Sequence, residues 1–451
     1  MERDQPPAEA SRCPICGRPT PADQFGFVEC ACGWGGPGDP VESARGLSRR
    51  FTLLDRRLTT RIARRELARI ARAKRAESAS SLLYIALLSA LSALIYLVIG
   101  ALLVGSIFLL AQYVMQGAWL GVALFSMIVL YLLWTLFGLP TRIHGIVAPS
   151  SAYPQLAATL GEVASQVGVK PPKWVILHPG AGFYITRRML WGRALTPRVA
   201  VGVGAASLAQ MNDRELRAVL AHELAHDQHE HSFFGRFFGG AESALFNIID
   251  AMHGGIETNY KGRTARMRSS TSSIGALVGV VVVWIATIPP RLLWLVFHMI
   301  RLRLSRADEY EADAVAVECY GAQAFINALT AVLATAETMR GARVGIRQEM
   351  AKRNNPNFYS ELRRHYAELP ASYLGPMRQK TLRGYRTLED SHPITPDRVR
   401  AALALGAPEP PATQPAAPAY GVIAPAGSAD TETIELQLTK LLFDGGRKRR
   451  R

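Results

Sequence analysis

The strongest constraint on the fold is a long stretch without charged residues. From 78 to 141, 64 consecutive residues contain no Asp, Glu, Lys or Arg. A membrane-spanning helix needs about 20 apolar residues, so this stretch has length for two spans. The polar residues at 111–119 predict a tight turn between helices near 82–111 and 118–138. A helical hairpin buried in a soluble protein is disfavoured at this length without charges, so the sequence predicts a membrane protein.

The formal net charge of +16 is concentrated in two short segments. Residues 49–75 hold eleven Lys and Arg against Asp55 and Glu66, and the tail 447–451 reads RKRRR. Such clusters fit anionic lipid headgroups or an orientation signal better than a folded nucleic-acid surface. We therefore expect a lipid bilayer as a partner and no nucleic acid.

The position of the basic residues also predicts the orientation in the membrane. Because they precede the first predicted span, the positive-inside rule places the N-terminus in the cytoplasm. Two spans return the chain to the same side, so the region that begins at Arg142 is also cytoplasmic. The sequence thus predicts a multi-pass protein of the cell (inner) membrane.

Four of the five cysteines lie in the first 32 residues. Cys13 and Cys16 form a C-x-x-C pair, and Cys30 and Cys32 form a C-x-C pair, so four thiolates can hold one structural zinc ion. This predicts a small zinc-ribbon-like module at 1–40. The C-x-C spacing is tighter than usual, so a redox-active pair or a segment without a fixed fold stays open. The N-terminus lacks a signal-peptide layout, which places the module in a reducing cytoplasm.

Residues 41–77 join this module to the first span through a short linker and a basic helix. Leu54, Leu58 and Ile62 recur every four residues, with arginines on the other faces. This pattern suits a helix that lies on an anionic membrane surface. The alternative interpretation is a solvated helix that extends the first span.

The motif that carries chemistry is H-E-x-x-H at His222, Glu223 and His226. On a helix, positions i and i+4 share one face, so both imidazoles can reach one metal ion. Glu223 can then take a proton from a water molecule activated at the metal. A surface helix with two solvated histidines would show the same five residues. The motif alone therefore does not distinguish a metal site from such a helix, and the rest of the chain has to be considered.

The surroundings of this motif are typical of a zincin protease. Periodicity predicts a helix at 153–169, and β-branched runs predict strands at 170–179 and 198–204, with GFYITRR between them as a third candidate. Asn212 and Glu215 form a capping box at the start of a helix over 213–230. We therefore predict a mainly α membrane protein with a zincin-type α+β metalloprotease domain at 142–405.

A second apolar block follows the motif. Residues 269–290 are uncharged, and a shorter apolar run resumes at 292–300 after Pro289–Pro290. A single span would carry the chain across the membrane, whereas a hairpin at 269–300 would return it. The second limb is short for a full crossing, so a shallow or re-entrant hairpin is a further possibility.

Zinc in a protease needs a third protein ligand. On a predicted helix at 291–319, Glu309 and Asp313 lie four residues apart on one face. Glu309 can ligate the metal, and Asp313 can fix the ring of a ligating histidine. Taken alone, however, these residues read as part of a solvated acidic patch, SRADEYEAD.

Three blocks together resemble the signature motifs of the HtpX-like membrane zinc metalloproteases, relatives of the CAAX prenyl endopeptidases. They are HELAH at 222–226 followed by His231, SRADEYEAD at 305–313, and SHPITPDRVRAAL at 391–403. The resemblance covers roughly residues 80–405. It implies that Glu309 is the third ligand and that Asp313 supports the site.

The same resemblance implies roles beyond the metal ligands. It maps His392 and Arg398 to active-site support or oxyanion stabilisation. Since Glu309 must meet the two histidines at one ion, it favours the hairpin at 269–300. It also implies cytoplasmic proteolysis of misfolded or damaged membrane proteins.

The function predicted from the sequence is a membrane-integrated zinc endopeptidase of membrane-protein quality control, with one catalytic and one structural Zn²⁺. The alternative is a zinc-binding membrane scaffold with little or no proteolysis. Residues 406–451 read as a disordered Pro/Ala-rich linker, a short amphipathic helix at 433–443 that either docks or frays, and the basic tail. The identity of the protein substrates and the oligomeric state do not follow from the sequence.

Overall fold

The computed structural model describes residues 11–20, 30–32, 34–36, 39–72, 79–137, 144–186, 199–229, 237–249, 288–369, 381, 392–405, 419–425 and 431–444. The chain divides into two compact units. The larger one, here called the peptidase unit, holds residues 1–75, 142–229 and 306–451. The other, the helical unit, holds residues 76–141 and 230–305.

The described strands and helices follow one another in a mostly helical order. The strands are β1 (Ser11–Arg12), β2 (Pro19–Thr20), β3 (Ile146–Pro149), β4 (Trp174–His178), β5 (Tyr184–Thr186) and β6 (Ala200–Gly204). The helices are α1 (Gly46–Arg72), α2 (Ala79–Met115), α3 (Trp119–Phe137), α4 (Pro154–Val167), α5 (Ala205–Leu208), α6 (Asp213–His229), α7 (Phe237–Ile249), α8 (Ile288–Tyr320), α9 (Ala322–Gly341), α10 (Arg343–Lys352), α11 (Phe358–Glu368), α12 (Thr395–Ala404) and α13 (Thr431–Asp444).

In the helical unit, α2 and α3 form the hairpin that the uncharged stretch predicts. The turn between them falls at Gly117, whose φ of +66 is a conformation that glycine adopts without the steric cost of a Cβ. Within the described part of the chain, one helical segment, Tyr84–Met115, is long and apolar enough to cross a membrane, and Trp119–Thr135 is apolar but shorter. Apolar side chains on α2 face outward, since Leu97 is 69% and Phe108 62% exposed.

A small core and a polar cluster hold this unit together. The core includes Ile95 and Ile99 of α2, Leu132 of α3 and Phe297 of α8. Beside it, the buried carboxylate of Glu242 on α7 accepts from His298 Nδ1 at 2.6 Å and pairs with Arg301. A buried charged group is stabilised when it is paired with a group of opposite charge. The sequence analysis did not single out this cluster.

The second limb of the predicted apolar hairpin, 292–300, lies near the start of the helix α8. Pro289 and Pro290 lie in the first turn of α8, where a missing N–H leaves no intrahelical bond unmade. The helix predicted at 291–319 is confirmed as Ile288–Tyr320. The first limb of the predicted hairpin, 269–287, lies outside the described residues, as do His231 and the basic tail.

The peptidase unit is built around a four-stranded sheet in the order β3-β4-β6-β5. β4 and β6 pair in parallel, whereas β3 and β5 pair antiparallel to β4 and β6 respectively. All five residues of β6 are buried, as expected for a central strand. The three predicted strands are confirmed as β4, β5 and β6. β3 was missed because a four-residue run that ends at Pro149 carries little periodic signal.

The core of this unit lies between the sheet and the helices α4, α6, α8 and α9. It contains Leu156 and Leu160 of α4, Leu216 and Leu220 of α6, and Ala312 of α8, all at most 1% exposed. The helices predicted at 153–169 and 213–230 are confirmed as α4 and α6. The framework that positions the H-E-x-x-H motif is thus the one that the sequence predicts.

The described part of the C-terminal segment belongs to the same core, which corrects the prediction of a disordered linker at 419–425. The rest of the predicted linker, 406–418 and 426–430, lies outside the described residues. In a short turn at Ala419–Ile423, Ala419 and Ile423 are fully buried, and the Ala419 N–H donates to the Met211 carbonyl at 3.1 Å. The predicted amphipathic helix is confirmed as α13, and it docks, because Leu438 is fully buried. The Pro/Ala-rich composition concealed the few apolar residues that pack.

Candidate metal centre

The local sequence around α6 sets the direction of the two motif histidines. The predicted capping box is present, since the Glu215 N–H donates to Asn212 Oδ1 at 2.9 Å and the Asn212 N–H to Glu215 Oε2 at 3.1 Å. From this fixed start, four residues separate His222 and His226, so their rings lie on one face. Their Nε2 atoms are 3.3 Å apart, and His222 is buried.

Glu309 on α8 completes a group of three metal-binding side chains. Its Oε2 lies 3.7 Å from Nε2 of His222, and its Oε1 lies 3.5 Å from Nε2 of His226. Two imidazole nitrogens and a carboxylate thus converge in a buried place. The acidic run at 305–313 is therefore not a solvated patch at this position.

These spacings agree with a zinc ion. Zinc bonds of about 2.0–2.1 Å in a tetrahedron place the ligand atoms about 3.3–3.4 Å apart. The three observed separations, 3.3, 3.5 and 3.7 Å, lie close to that edge length. Lone pairs that face one another at this distance repel unless a cation lies between them. The donor set of His222, His226 and Glu309 therefore fits a zinc site.

Asp313 and Arg398 stand behind the ligand His222. Oδ1 of Asp313 lies 2.9 Å from Nδ1 of His222, although the angle there departs from that of a hydrogen bond. Arg398 of α12 donates to both Asp313 oxygens, from Nε at 2.9 Å and from Nη2 at 2.6 Å. Its Nη1 is also 3.4 Å from Glu309 Oε2. Its Nη2 lies 3.4 Å from His222 Nε2, so Arg398 contacts His222 directly as well as the two carboxylates.

His392 contacts Glu309, the third candidate metal ligand. Its Nδ1 lies 2.7 Å from Glu309 Oε1, while its side chain is 65% exposed. Burial of Glu309 would raise the pKa of its carboxyl, but the hydrogen bond with His392 and the charge of Arg398 hold that pKa at about 2. The same contact raises the pKa of His392. Glu309 is consequently ionised at neutral pH, as a metal ligand has to be.

Burial also sets the charge states of the other motif residues. Burial and the neighbouring His222 lower the pKa of His226 to about 4, so its imidazole is neutral and free to bind a cation. Burial raises the pKa of Glu223, so that pKa lies closer to neutral pH than the pKa of an exposed carboxyl does. A general base works best when its pKa lies near the operating pH.

Phe325 on α9 is a site residue that the sequence analysis missed. It is 2% exposed, and its ring centroid lies 6.1 Å from that of His222. The Arg398 guanidinium carbon lies 5.7 Å from the same ring. Phe325 therefore packs against both a ligand and its support, but a single apolar residue in an apolar helix carries no motif.

The four predicted cysteine ligands meet in a second group. Cys13 Sγ lies 3.5 Å from Cys32 Sγ, and Cys16 Sγ lies 3.5 Å from Cys30 Sγ. All four sulfurs lie within 4.8 Å of one another, and a tetrahedral zinc with Zn–S bonds of about 2.3 Å separates them by about 3.8 Å. Burial raises the pKa of the Cys30 and Cys32 thiols, so a metal that binds there must displace protons.

The fold and the site together define a class of protein. A small sheet, a helix with two histidines and an acid from a second helix form the centre of a metalloprotease. The model of peptidase family M48 matches residues 154–405, which is more than half of the chain. The chain belongs to peptidase family M48, and the resemblance drawn from its motifs is thereby confirmed.

The curated relatives have one name in common. The chain is 27% identical to a Protease HtpX homolog of Methylibium petroleiphilum over 261 residues, 57% of this chain and 76% of the relative. It is 25% identical over 178 residues to that of Acidiphilium cryptum, and 29% identical over 164 residues to that of Ralstonia pickettii. These two alignments cover 39% and 36% of this chain and 54% and 49% of the relatives. No solved structure matches the chain significantly.

Proposed function

We propose that this chain is a membrane-integrated, zinc-dependent endopeptidase that hydrolyses peptide bonds at the cytoplasmic face. The observation that carries the proposal is the convergence of His222, His226 and Glu309 at the spacing of zinc ligands, with Glu223 next to the first of them. A purely structural metal site has no need of a carboxylate beside its ligands, because such a site is closed by four protein donors.

The residues of the site have separate roles in the proposed hydrolysis. Zinc, held by His222, His226 and Glu309, would acidify a water molecule and polarise the peptide carbonyl. Glu223 accepts the proton as the water attacks and then passes it to the nitrogen of the leaving amine. Arg398 and Asp313 hold the ring of His222, and His392 holds Glu309, so these three side chains position the ligands.

The peptide substrate can bind along the sheet. Among the described strands β5 lies at the edge of the sheet beside β6, and α6 packs against it. An extended peptide can pair with such an edge through backbone hydrogen bonds, which read the main chain more than the sequence. This mode of binding suits a protease that takes unfolded segments of many proteins.

The membrane part of the proposal is supported by the exposed apolar surface of α2 and by the distribution of charge. The cytoplasmic orientation follows from the arginines that precede α2. The role in quality control of membrane proteins is carried over from the resemblance to HtpX-like proteases.

Proteolysis by the purified full-length chain in detergent tests the proposal. We expect it to cleave an unfolded protein such as casein, to lose this activity with a chelator, and to recover it with added Zn²⁺. A chain that binds zinc but cleaves neither casein nor an unfolded membrane protein would instead be the metal-dependent scaffold. Protease accessibility of an N-terminal tag in inside-out membrane vesicles tests the orientation.

A further inference from the structure

The helix α1 buries its polar face and exposes its apolar face. Arg56, Thr59 and Thr60 are between 3% and 8% exposed. In contrast, Phe51, Leu54 and Leu58 are 68%, 53% and 42% exposed, and they follow one another at helical spacing along one stripe. This arrangement is the reverse of the usual one, in which the apolar stripe of a helix faces the core.

The buried face of α1 contacts the cysteine module, and α1 also packs against α12. Arg56 pairs with Asp39, which is 2% exposed and also accepts from the Gly35 and Val41 N–H groups at 2.8 and 2.9 Å. Arg57 donates from Nε to the Cys32 carbonyl at 2.9 Å. These contacts fix the rotation of α1 about its axis, so the apolar stripe cannot turn inward without breaking a buried ion pair.

The surroundings of the stripe indicate what covers it. Arg50, Arg57 and Arg61 are exposed and lie along one flank of Phe51, Leu54 and Leu58 on the helix. Over its whole length α1 contains nine arginines and two acidic residues. A row of apolar side chains beside cations of one sign matches the boundary between acyl chains and anionic headgroups, where long basic side chains reach outward.

A short connection joins α1 to the proposed membrane span. Only six residues, 73–78, separate the end of α1 from the start of α2, the apolar helix that can span a membrane. At no more than about 3.3–3.6 Å per residue, that connection can span at most roughly 20–25 Å. Even when fully extended, the connection between α1 and the proposed span is thus shorter than a bilayer is thick.

We propose that α1 is an interfacial helix whose stripe of Phe51, Leu54 and Leu58 inserts into an anionic lipid surface, with the cysteine module clamped on its opposite face. The occupant is a bilayer that contains acidic phospholipid. In this arrangement the cysteine module serves to orient α1, and the peptidase unit gains a second attachment to the membrane. The inference rests on the proposed membrane span at α2, but it is independent of the proteolytic activity.

A fluorescent probe at the stripe tests the inference in the full-length protein. An environment-sensitive fluorescent amino acid replaces Leu54, and a matched control replaces Val344, an apolar residue of α10 that is 68% exposed. Both proteins are reconstituted into nanodiscs of phosphatidylcholine alone or of phosphatidylcholine with phosphatidylglycerol at 3:1. We expect a blue shift and quenching by spin-labelled lipid at position 54 in the anionic discs, a smaller effect in the neutral discs, and none at position 344.

Further measurements keep the test decisive. The double variant R50Q/R61Q, which leaves the contacts of Arg56 and Arg57 intact, should reduce the blue shift of the probe at position 54.

In the unsubstituted chain, trypsin should cleave after Arg50 and Arg61 several-fold more slowly in anionic than in neutral discs. A probe at position 54 that emits as the control does, or a shift that lipid quenchers leave untouched, would overturn the inference, and so would equal cleavage in both discs.

Discussion

Arg398 and Asp313 form a buried ion pair with two hydrogen bonds, at 2.9 and 2.6 Å, that joins α12 to α8 behind the ligand His222. They are separated by 85 residues in the chain. The planar guanidinium matches a carboxylate through two parallel N–H donors, which no ammonium can do. The pair therefore holds the carboxylate that faces the Nδ1 atom of a proposed zinc ligand.

The first prediction concerns this pair. Arg398→Lys keeps the charge but loses the two-bond geometry, so Asp313 can no longer be held in place. Loss of a residue that supports a metal ligand typically costs about 10–100-fold in metal affinity or activity, and we expect a loss of that size. Zinc affinity and casein cleavage measure it. Arg400→Lys on the same helix is the matched control and should leave both unchanged, whereas equal effects of the two would refute the positioning role.

The second prediction separates two roles for His392. Its 2.7 Å contact with Glu309 makes it a positioning residue, whereas the sequence analysis also allowed oxyanion stabilisation. His392→Ala should therefore weaken zinc binding, and His392→Gln should restore part of it through an amide donor. Because the side chain is 65% exposed, the thermal stability should change little. A fall in kcat of about 10²–10³ with unchanged zinc affinity would indicate the oxyanion role instead.

The third prediction concerns metal content. The structure has two groups that could hold a metal ion, one of four cysteines and one of His222, His226 and Glu309, and we predict two zinc ions per chain. Cys13→Ser removes one thiolate, so the metal content should fall from two to one while the catalytic zinc remains. The control is Cys319→Ser, since Cys319 lies on α8 outside the cluster and its loss should leave two zinc ions. An unchanged content in Cys13→Ser would argue against the structural site.

The fourth prediction concerns the docked C-terminal helix. Leu438 of α13 is fully buried in the core of the peptidase unit, and truncation of a buried leucine typically costs about 2–5 kcal/mol. Leu438→Ala should therefore lower the melting temperature of the protein measurably. Lys440→Ala, two residues further along and exposed, is the control and should have no such effect. Equal melting temperatures would mean that α13 does not contribute to the core.

Local features of the site could be predicted from the sequence because they depend on short-range periodicity. The capping box at Asn212 fixes where α6 begins, and 3.6 residues per turn then place His222 and His226 on one face. The acidic residue Glu309 needed the family resemblance, because four residues of like charge in a helix read equally well as a solvated surface. The structure brings it within 3.7 Å of a histidine that is 87 positions earlier.

Other features depend on partners that no local pattern reveals. The amphipathic pattern of α1 is visible in the sequence, but the direction of its apolar stripe is set by Asp39, which takes Arg56 into a buried pair. Phe325 acquires its place only when α9 packs against α6. The turn at Ala419–Ile423 lies in a Pro/Ala-rich segment whose composition is typical of a linker. In each case a contact with residues far away in the chain determines where the side chains lie. Composition and periodicity therefore could not predict these three features.

The central claim is that Glu223 performs the proton transfers of peptide hydrolysis beside a zinc ion. The most direct test is the casein-cleaving rate of Glu223→Gln together with its zinc content. The account predicts that zinc content and fold remain those of the unsubstituted chain while the rate falls by about 10²–10⁴, the usual contribution of a general acid–base. A variant that retains both zinc and the full rate of cleavage would contradict it.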